Sequence, residues 1–137
     1  MTYEKGAKMK IRELVGGSAF LCGPDLTMTQ AAEEMSEQKI GALAVTEKGE
    51  LIGVITERDI LRAVAQHATL QTTTVREWMT TDPDTIGADV NVEEAASWLL
   101  TAGYRHLPVM DNGELIGMAS IKDVLWSVFD ASKVADA

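Results

Sequence analysis

Cysteine and histidine are scarce in this sequence, and each scarcity excludes a class of site. Cys22 is the one cysteine, so the chain cannot form an internal disulfide, which fits a reducing compartment. The cytoplasm is therefore the expected location. The two histidines, His67 and His106, stand in different halves of the chain, which argues against a shared metal site or a histidine-based catalytic set.

Basic residues and long apolar runs are also few. Lysine and arginine number 12 against 21 acidic residues, giving a net charge of −9. Nucleic acids and anionic membranes are bound through dense cationic contacts, which this composition lacks. No apolar run approaches the roughly 18 residues of a membrane span, and residues 1–10 lack the apolar core of an export signal. We expect no nucleic-acid partner and no membrane contact, but helix N-termini with a few local cations can still bind a small anion.

The chain contains an internal repeat. The segment from Gly49 to Gly53 recurs from Gly113 to Gly117, and the same offset of 64 residues aligns further positions without a gap. A duplication is the simplest explanation. The predicted organisation is an N-terminal tail (1–10), a first repeat (11–66), a linker (67–74), a second repeat (75–130) and a C-terminal tail (131–137).

Each repeat predicts the element order strand, helix, strand, strand, helix. Capping signals at Thr27 and Asn91 begin the first helix of each copy, and the apolar positions that follow have helical spacing. Turns at 48–49 and 112–113 each join two apolar runs as a hairpin. We expect an α/β (α+β) fold with two small mixed three-stranded sheets backed by helices. The two repeats should pack about a pseudo-two-fold axis.

A motif of glycine, two residues, serine or threonine, two residues and aspartate follows each hairpin. It runs from Gly53 to Asp59 and from Gly117 to Asp123. One interpretation is a capping box, which only satisfies the free N–H groups of a helix start. The other is a ligand site, in which the helix N-terminus and the hydroxyl face a phosphate and the carboxylate accepts two hydrogen bonds from a ribose. Two matched copies, each with a cation before the aspartate, favour the second interpretation.

With both motifs in a duplicated frame, the chain resembles a CBS-domain pair, also called a Bateman module, over about residues 11–130. The segment Tyr-Arg-His-Leu-Pro-Val-Met-Asp at 104–111 is similar to the strand that precedes the motif in that family. The resemblance implies ribose contacts from Asp59 and Asp123, oxygen contacts from Thr56 and Ser120, and phosphate contacts from Arg58 and Lys122.

Further positions of the implied site come from two other segments. The walls of the adenosine pocket would be Ile40, Gly41 and Ala42 in the first repeat, and Tyr104, Arg105 and His106 in the second. Segments entering the opposite repeat would add Thr80, Thr81, Asp84 and Thr85 to the first motif, and Gly17, Ser18 and Phe20 to the second. Ala44 departs from the proline found at Pro108, which puts the shape of the first pocket in question.

The function implied is that of a regulatory module, not an enzyme. It would bind an adenine nucleotide (AMP, ADP or ATP) in clefts between the repeats and signal to a partner protein. One alternative is a ligand-free oligomerisation or interaction module, and another is an S-adenosylmethionine binder. A nucleotide hydrolase would need a metal cluster or a general base, and neither emerges from the residues.

Two finer expectations follow. The family usually forms a disc-like homodimer, and Trp126 and Phe129 lie beyond the core positions of the last helix, so we expect a homodimer. The second motif should be the better phosphate site, because Arg105, His106 and Lys122 cluster there, whereas Arg58 is the one cation at the matching positions of the first.

Overall fold

The chain divides into two compact units that do not coincide with the two repeats. A computed structural model describes residues 9–15 and 20–136, with side chains as far as Phe129. The first unit is Ala19–Pro83, and the second unit is Met1–Ser18 together with Asp84–Ala137. Each unit therefore includes the residues that begin the other repeat. In the part of the chain described, no helix is long and apolar enough to cross a membrane.

The first unit is a four-stranded sheet with helices. Its elements are β1 (Leu21–Cys22), α1 (Met28–Gln38), β2 (Ala42–Glu47), β3 (Glu50–Thr56), α2 (Glu57–Ala65), α3 (Val75–Trp78) and β4 (Thr80–Thr81). The sheet order is β1-β2-β3-β4. Strand β1 is parallel to β2, and the other two pairings are antiparallel.

The second unit has a three-stranded sheet. Its elements are a 3-10 helix (Ile11–Glu13), β5 (Ile86–Gly87), α4 (Val92–Ala102), β6 (His106–Asp111), β7 (Glu114–Ser120) and α5 (Ile121–Asp136), with the sheet order β5-β6-β7. The predicted element order is confirmed in both repeats. The expectation of two three-stranded sheets is wrong for the first unit, because Thr80 and Thr81 add a fourth strand by pairing with Val54 and Gly53.

Both predicted hairpins are present. The turn residues Lys48 and Gly49 have φ angles of 54° and 80°, and Asn112 and Gly113 have φ angles of 51° and 82°. Two consecutive left-handed residues define the type I′ turn, whose twist matches that of the flanking strands. Glycine at the second position and asparagine at the first tolerate this conformation, which explains why these residues mark the turns.

The predicted caps also form. Thr27 Oγ1 accepts from the Gln30 backbone N–H at 3.1 Å, and the Gln30 side chain accepts from the Thr27 N–H at 3.0 Å. Asn91 Oδ1 accepts from the Glu94 N–H at 2.9 Å. Both first helices therefore begin where the sequence signals place them.

Each unit has its own apolar core, and the two cores match position by position. Fully buried residues at equivalent places are Met28 and Val92, Leu43 and Leu107, Val45 and Val109, and Val75 and Ile11. The last pair is exchanged: Ile11 lies in the core of the second unit, and Val75 lies in the core of the first. The residue that begins each repeat is thus buried with the other repeat.

Backbone hydrogen bonds hold the two segments that begin the repeats, residues 9–15 and 75–81, which we call the exchanged segments. Ile11 N–H donates to Val90 O and Arg12 N–H to Ala88 O, both at 2.9 Å. In the first unit the equivalent donors, Val75 and Arg76, donate to Leu26 O at 2.8 Å and to Pro24 O at 2.9 Å.

An arginine in each exchanged segment pairs with two carboxylates. Arg12 Nε lies 2.9 Å from Asp89, and its terminal nitrogens lie 3.2 and 3.3 Å from Asp111. The hydrogen bond from Arg12 holds the pKa of Asp89 below its ordinary value. Arg76 repeats the arrangement in the first unit, with Glu47 at 2.6 Å and Asp25 at 3.8 Å.

Candidate functional site

The first motif forms a complete capping box at the start of α2. Thr56 Oγ1 accepts from the Asp59 N–H at 3.3 Å, and Asp59 Oδ2 accepts from the Thr56 N–H at 2.8 Å and from Thr56 Oγ1 at 3.1 Å. The other carboxylate oxygen, Oδ1, accepts from Arg62 one turn further along α2. Asp59 is 4% exposed. Its carboxylate is buried because all of these donors surround it.

The second motif keeps the backbone part of this arrangement but not the carboxylate part. Ser120 Oγ accepts from the Asp123 N–H at 3.1 Å, as Thr56 does in the first unit. The Asp123 side chain is exposed, and none of the described residues donates a hydrogen bond to its carboxylate. The two motifs therefore share a sequence pattern and a backbone geometry while their aspartates differ in environment.

The strand that begins each hairpin lies beside the motif. Ala42 pairs with Thr56 across β2 and β3, and His106 pairs with Ser120 across β6 and β7. The Glu57 N–H donates to Gly41 O at 3.0 Å, and the Ile121 N–H donates to Arg105 O at 2.8 Å. In each unit the predicted pocket wall and the predicted motif thus meet at the first turn of a helix, where the positive end of the helix dipole favours an anion.

The residues that flank these strand starts lie against the cores. Ile40 is partly buried against the first core, and its N–H donates to Met35 O at 3.0 Å. Tyr104 is partly buried against the second core, and its ring meets that of Trp98 edge to face, with 5.9 Å between the ring centroids. The aromatic pair orients the Tyr104 ring beside the strand start.

The cations assigned to phosphate are accessible. Arg58, Arg105 and Lys122 are exposed, and His106 is partly buried. Three of these four residues, Arg105, His106 and Lys122, belong to the second unit and surround the junction of β6, β7 and α5. The start of α5 therefore has two basic side chains on its flanking residues, Arg105 and Lys122, whereas the start of α2 has Arg58 and, paired with Asp59, Arg62.

The segments predicted to cross between motifs have separate places. Thr80 pairs with Val54, two residues before Thr56, and Thr81 pairs with Gly53, so both lie in the sheet that carries the first motif. Asp84 and Thr85 belong to the second unit, just before β5, and both are exposed. Phe20 belongs to the first unit, where it packs against the core. Gly17 and Ser18 lie outside the described residues.

The difference between Ala44 and Pro108 has a structural consequence. The Ala44 N–H donates to Phe20 O at 2.8 Å, and the β1–β2 ladder includes the pair Leu21 and Ala44. Proline has no N–H, and the β5–β6 ladder begins one position later, at Ile86 and Val109. Thr85 is consequently outside the strand ladder, whereas its counterpart Leu21 is inside.

The motif glycines allow the exchanged segments to approach. A Cβ on Gly53 would lie 2.6 Å from Met79 Sδ and 2.9 Å from Thr80 O, and a Cβ on Gly117 would lie 2.6 Å from Val15 Cβ. All three distances are shorter than the normal van der Waals contacts of a carbon atom. These glycines are therefore required for packing, a role that the sequence analysis did not assign.

Sequence reasoning also missed Arg62. Its spacing of three residues from Asp59 on a predicted helix was a usable signal, because residues three apart are neighbours on a helix surface. No group of three or more histidine, cysteine or acidic side chains within the described ranges is arranged to hold a metal ion.

Comparisons with known proteins agree with this architecture. The CBS domain family matches twice, over residues 11–66 and 75–130. An uncharacterized 17.7 kDa protein from Acidianus ambivalens is 32% identical over 123 residues, which is 88% of this chain and 74% of that protein.

Two solved structures share the fold. A putative signal-transduction protein with CBS domains from Burkholderia ambifaria superposes with a TM-score of 0.83 at 29% identity, covering 89% of this chain and 95% of that one. A CBS domain protein from Pyrobaculum aerophilum complexed with AMP superposes with a TM-score of 0.77 at 27% identity, covering 89% and 99%. The duplicated motif, the matched units and these similarities together establish that the chain belongs to the CBS domain family, as a tandem pair.

Proposed function

We propose that this chain is a regulatory module that binds an adenine nucleotide at the junction of strand start and helix N-terminus in its units. One observation carries the proposal: in each unit the pocket-wall segment and the Ser/Thr-x-x-Asp motif converge on the first turn of a helix. A hydroxyl, a carboxylate and the positive end of a helix dipole then lie within one turn, which is a set that suits a phosphate and a ribose. The Pyrobaculum relative, which is complexed with AMP, supports the choice of ligand.

The residue roles are proposed from the same arrangement. In the second unit, Asp123 accepts hydrogen bonds from the two ribose hydroxyls and Ser120 contacts the adjacent oxygens. Lys122 and Arg105 bind the phosphate, and the Tyr104 side chain lines the base pocket. In the first unit, Asp59, Thr56 and Arg58 have the equivalent roles. The remaining proposed contacts are Ile40, Gly41, Ala42, Thr80, Thr85 and His106.

Thermal denaturation with AMP, ADP, ATP, GTP and S-adenosylmethionine tests the proposal. A ligand at 100 times its dissociation constant adds about 2.7 kcal/mol of stability. We expect stabilisation by one or more of the adenine nucleotides and none by GTP. Stabilisation by S-adenosylmethionine alone would identify the alternative ligand, and no stabilisation by any of the five would refute nucleotide binding. We also propose that the bound nucleotide is not turned over, which chromatography of ATP incubated with protein and magnesium would test.

Exposed apolar residues favour a second property, self-association. Trp126 is 62% exposed and Phe129 is 61% exposed, on the last helix, and Leu100 on α4 is 61% exposed. Helices α4 and α5 pack against each other, and a contiguous patch of such side chains on the pair would mark a contact surface. We propose a homodimer in the cytoplasm, and light scattering should give twice the monomer mass of 14.8 kDa. Dimerisation without any nucleotide binding would leave the ligand-free interaction module as the function.

A further inference from the structure

The carboxylates of the two motif aspartates differ in the hydrogen bonds that they accept. Both carboxylate oxygens of Asp59 are engaged, Oδ2 by the Thr56 backbone and hydroxyl and Oδ1 by Arg62. The Asp123 carboxylate is exposed and accepts no hydrogen bond from the described residues. Its backbone N–H still donates to Ser120, so the helix start is the same in both units and only the state of the side chain differs.

This difference matters for a ribose. Vicinal hydroxyls bind a carboxylate by donating to its oxygens, so the oxygens must be able to accept. At Asp123 they are accessible. At Asp59 a ribose must first displace the Arg62 guanidinium from Oδ1 and then compete with the capping hydrogen bonds on Oδ2, and a hydrogen bond to a charged group is among the stronger ones in proteins.

The two repeats also differ one turn into the helix that follows each motif. Arg62 stands three residues after Asp59, where the two side chains are neighbours on α2. The equivalent position on α5, three residues after Asp123, is Trp126, which has no charge to pair with the carboxylate. One residue difference between the repeats therefore coincides with the change in state of the aspartate.

We propose that Arg62 is a latch that holds Asp59 in its helix cap and makes the first nucleotide site weaker than the second. This inference rests on the proposed function and adds the order in which the two sites fill. The Arg62 side chain is 59% exposed and the Asp59 side chain 6% exposed, so the guanidinium can leave towards solvent while the carboxylate stays in place. A nucleotide therefore binds the first site only after the Arg62 guanidinium has left Asp59, and this site fills at a higher nucleotide concentration than the second.

Calorimetric titration of the full chain with AMP tests the latch. Wild-type protein should show two binding events whose dissociation constants differ by about tenfold or more, because a ribose at the first site must displace the Arg62 hydrogen bond and also compete with the capping hydrogen bonds from Thr56. Asp123→Asn should remove the tight event, and Asp59→Asn should remove the weak one. These two variants assign the events to their units.

Arg62→Gln is the decisive variant. It removes the charge while keeping a good helix former, and it should tighten the weak event by roughly two- to fivefold, the upper part of the range expected for releasing a partly exposed ion pair. Lys48→Asn is the matched control, because it removes one positive charge from the first unit at a turn position where the other hairpin has Asn112. It should leave both events unchanged.

The outcomes separate the two proposals. Two events of equal affinity in the wild type, or a weak event that Arg62→Gln leaves unchanged, would overturn the latch while nucleotide binding stands. A weak event that tightens equally in Lys48→Asn would also overturn it, because net charge would then be the cause. The absence of any AMP binding by the wild type would refute the proposed ligand and the latch together.

Discussion

Gly117→Ala should destabilise the protein although it adds a single methyl group. The new Cβ would lie 2.6 Å from Val15 Cβ and 3.1 and 3.3 Å from its two γ-carbons. Because Val15 Cβ is bonded to the backbone, no change of rotamer can move it away. The whole segment 9–15 must shift, which strains the hydrogen bond from Ile11 N–H to Val90 O.

The expected loss can be bounded. Overpacking of a well-filled site costs about 1–3 kcal/mol, and part of that is offset because alanine in a strand is favoured over glycine by roughly 0.5–1 kcal/mol. Taking the middle of each range, we expect a net loss of about 1 kcal/mol in the free energy of unfolding, measured by urea denaturation followed by circular dichroism. With a slope of roughly 1–3 kcal/mol per molar urea, the midpoint should fall measurably.

Gly87→Ala is the matched control. Gly87 lies in β5 of the same unit, and a Cβ there would have its nearest neighbour, Val90 Cγ2, at 3.9 Å, an ordinary contact. This variant should lie within about 0.5 kcal/mol of wild type or be slightly more stable. Equal stability of Gly117→Ala and wild type, or an equal loss in both variants, would refute the assigned role of the motif glycine.

Three further predictions concern single side chains. Asp59→Ala should lower the free energy of unfolding by about 1–3 kcal/mol, because it removes the buried carboxylate that accepts from the Thr56 N–H, whereas Asp123→Ala should change it by less than about 0.5 kcal/mol. Similar losses in the two variants, measured by urea denaturation, would contradict the different environments of the two aspartates. The hydrogen bond from Arg12 lowers the pKa of Asp89, so the stabilisation by this pair is present above pH 3.8 and is lost as the pH falls through the folded pKa. The difference in stability between wild type and Arg12→Gln should therefore disappear in acid. A difference that grows with acidification would contradict the pairing. Burial, with a smaller contribution from a nearby glutamate, raises the pKa of the Cys22 thiol to about 11, so a thiol reagent at neutral pH should label the native chain far more slowly than the urea-unfolded chain, and equal rates would contradict its burial.

Local signals in the sequence predicted the elements well. The turn at Asn112-Gly113 and the caps at Thr27 and Asn91 depend on the conformational preferences of a few adjacent residues, and these preferences are the same in every fold. The repeat then gave each prediction a second, independent copy. For this reason the order of strands and helices could be predicted from the sequence.

The exchange of segments could not be predicted in this way. Ile11 and Val75 look alike in sequence, and nothing local indicates that each is buried with the other repeat, because the burial partner of an apolar residue is chosen by tertiary packing. The fourth strand could not be predicted for the same reason. Thr80 and Thr81 pair with β3 at two positions, and two residues are too few to show the alternation of apolar and polar side chains that predicts a strand.

The positions of the candidate site residues in the fold could be predicted from the sequence, but the hydrogen bonding of the two aspartate carboxylates could not. The spacing of the motifs placed Thr56 and Ser120 at helix starts beside the strands, as found. The same spacing made the two aspartates equivalent. Their difference depends on which donors reach each carboxylate, and in the first unit one of those donors is Arg62, which lies outside the motif.

Binding of an adenine nucleotide at the helix starts of the motifs is the proposal on which the residue roles and the latch depend. The most direct test is a titration of ¹⁵N-labelled protein with AMP, followed by amide chemical shifts. We expect the amide signals of residues 121–123 and of Arg105 to shift first, and those of residues 57–59 to shift at a higher AMP concentration. Unchanged amides at both helix starts under saturating AMP, or shifts confined to other parts of the chain, would contradict it.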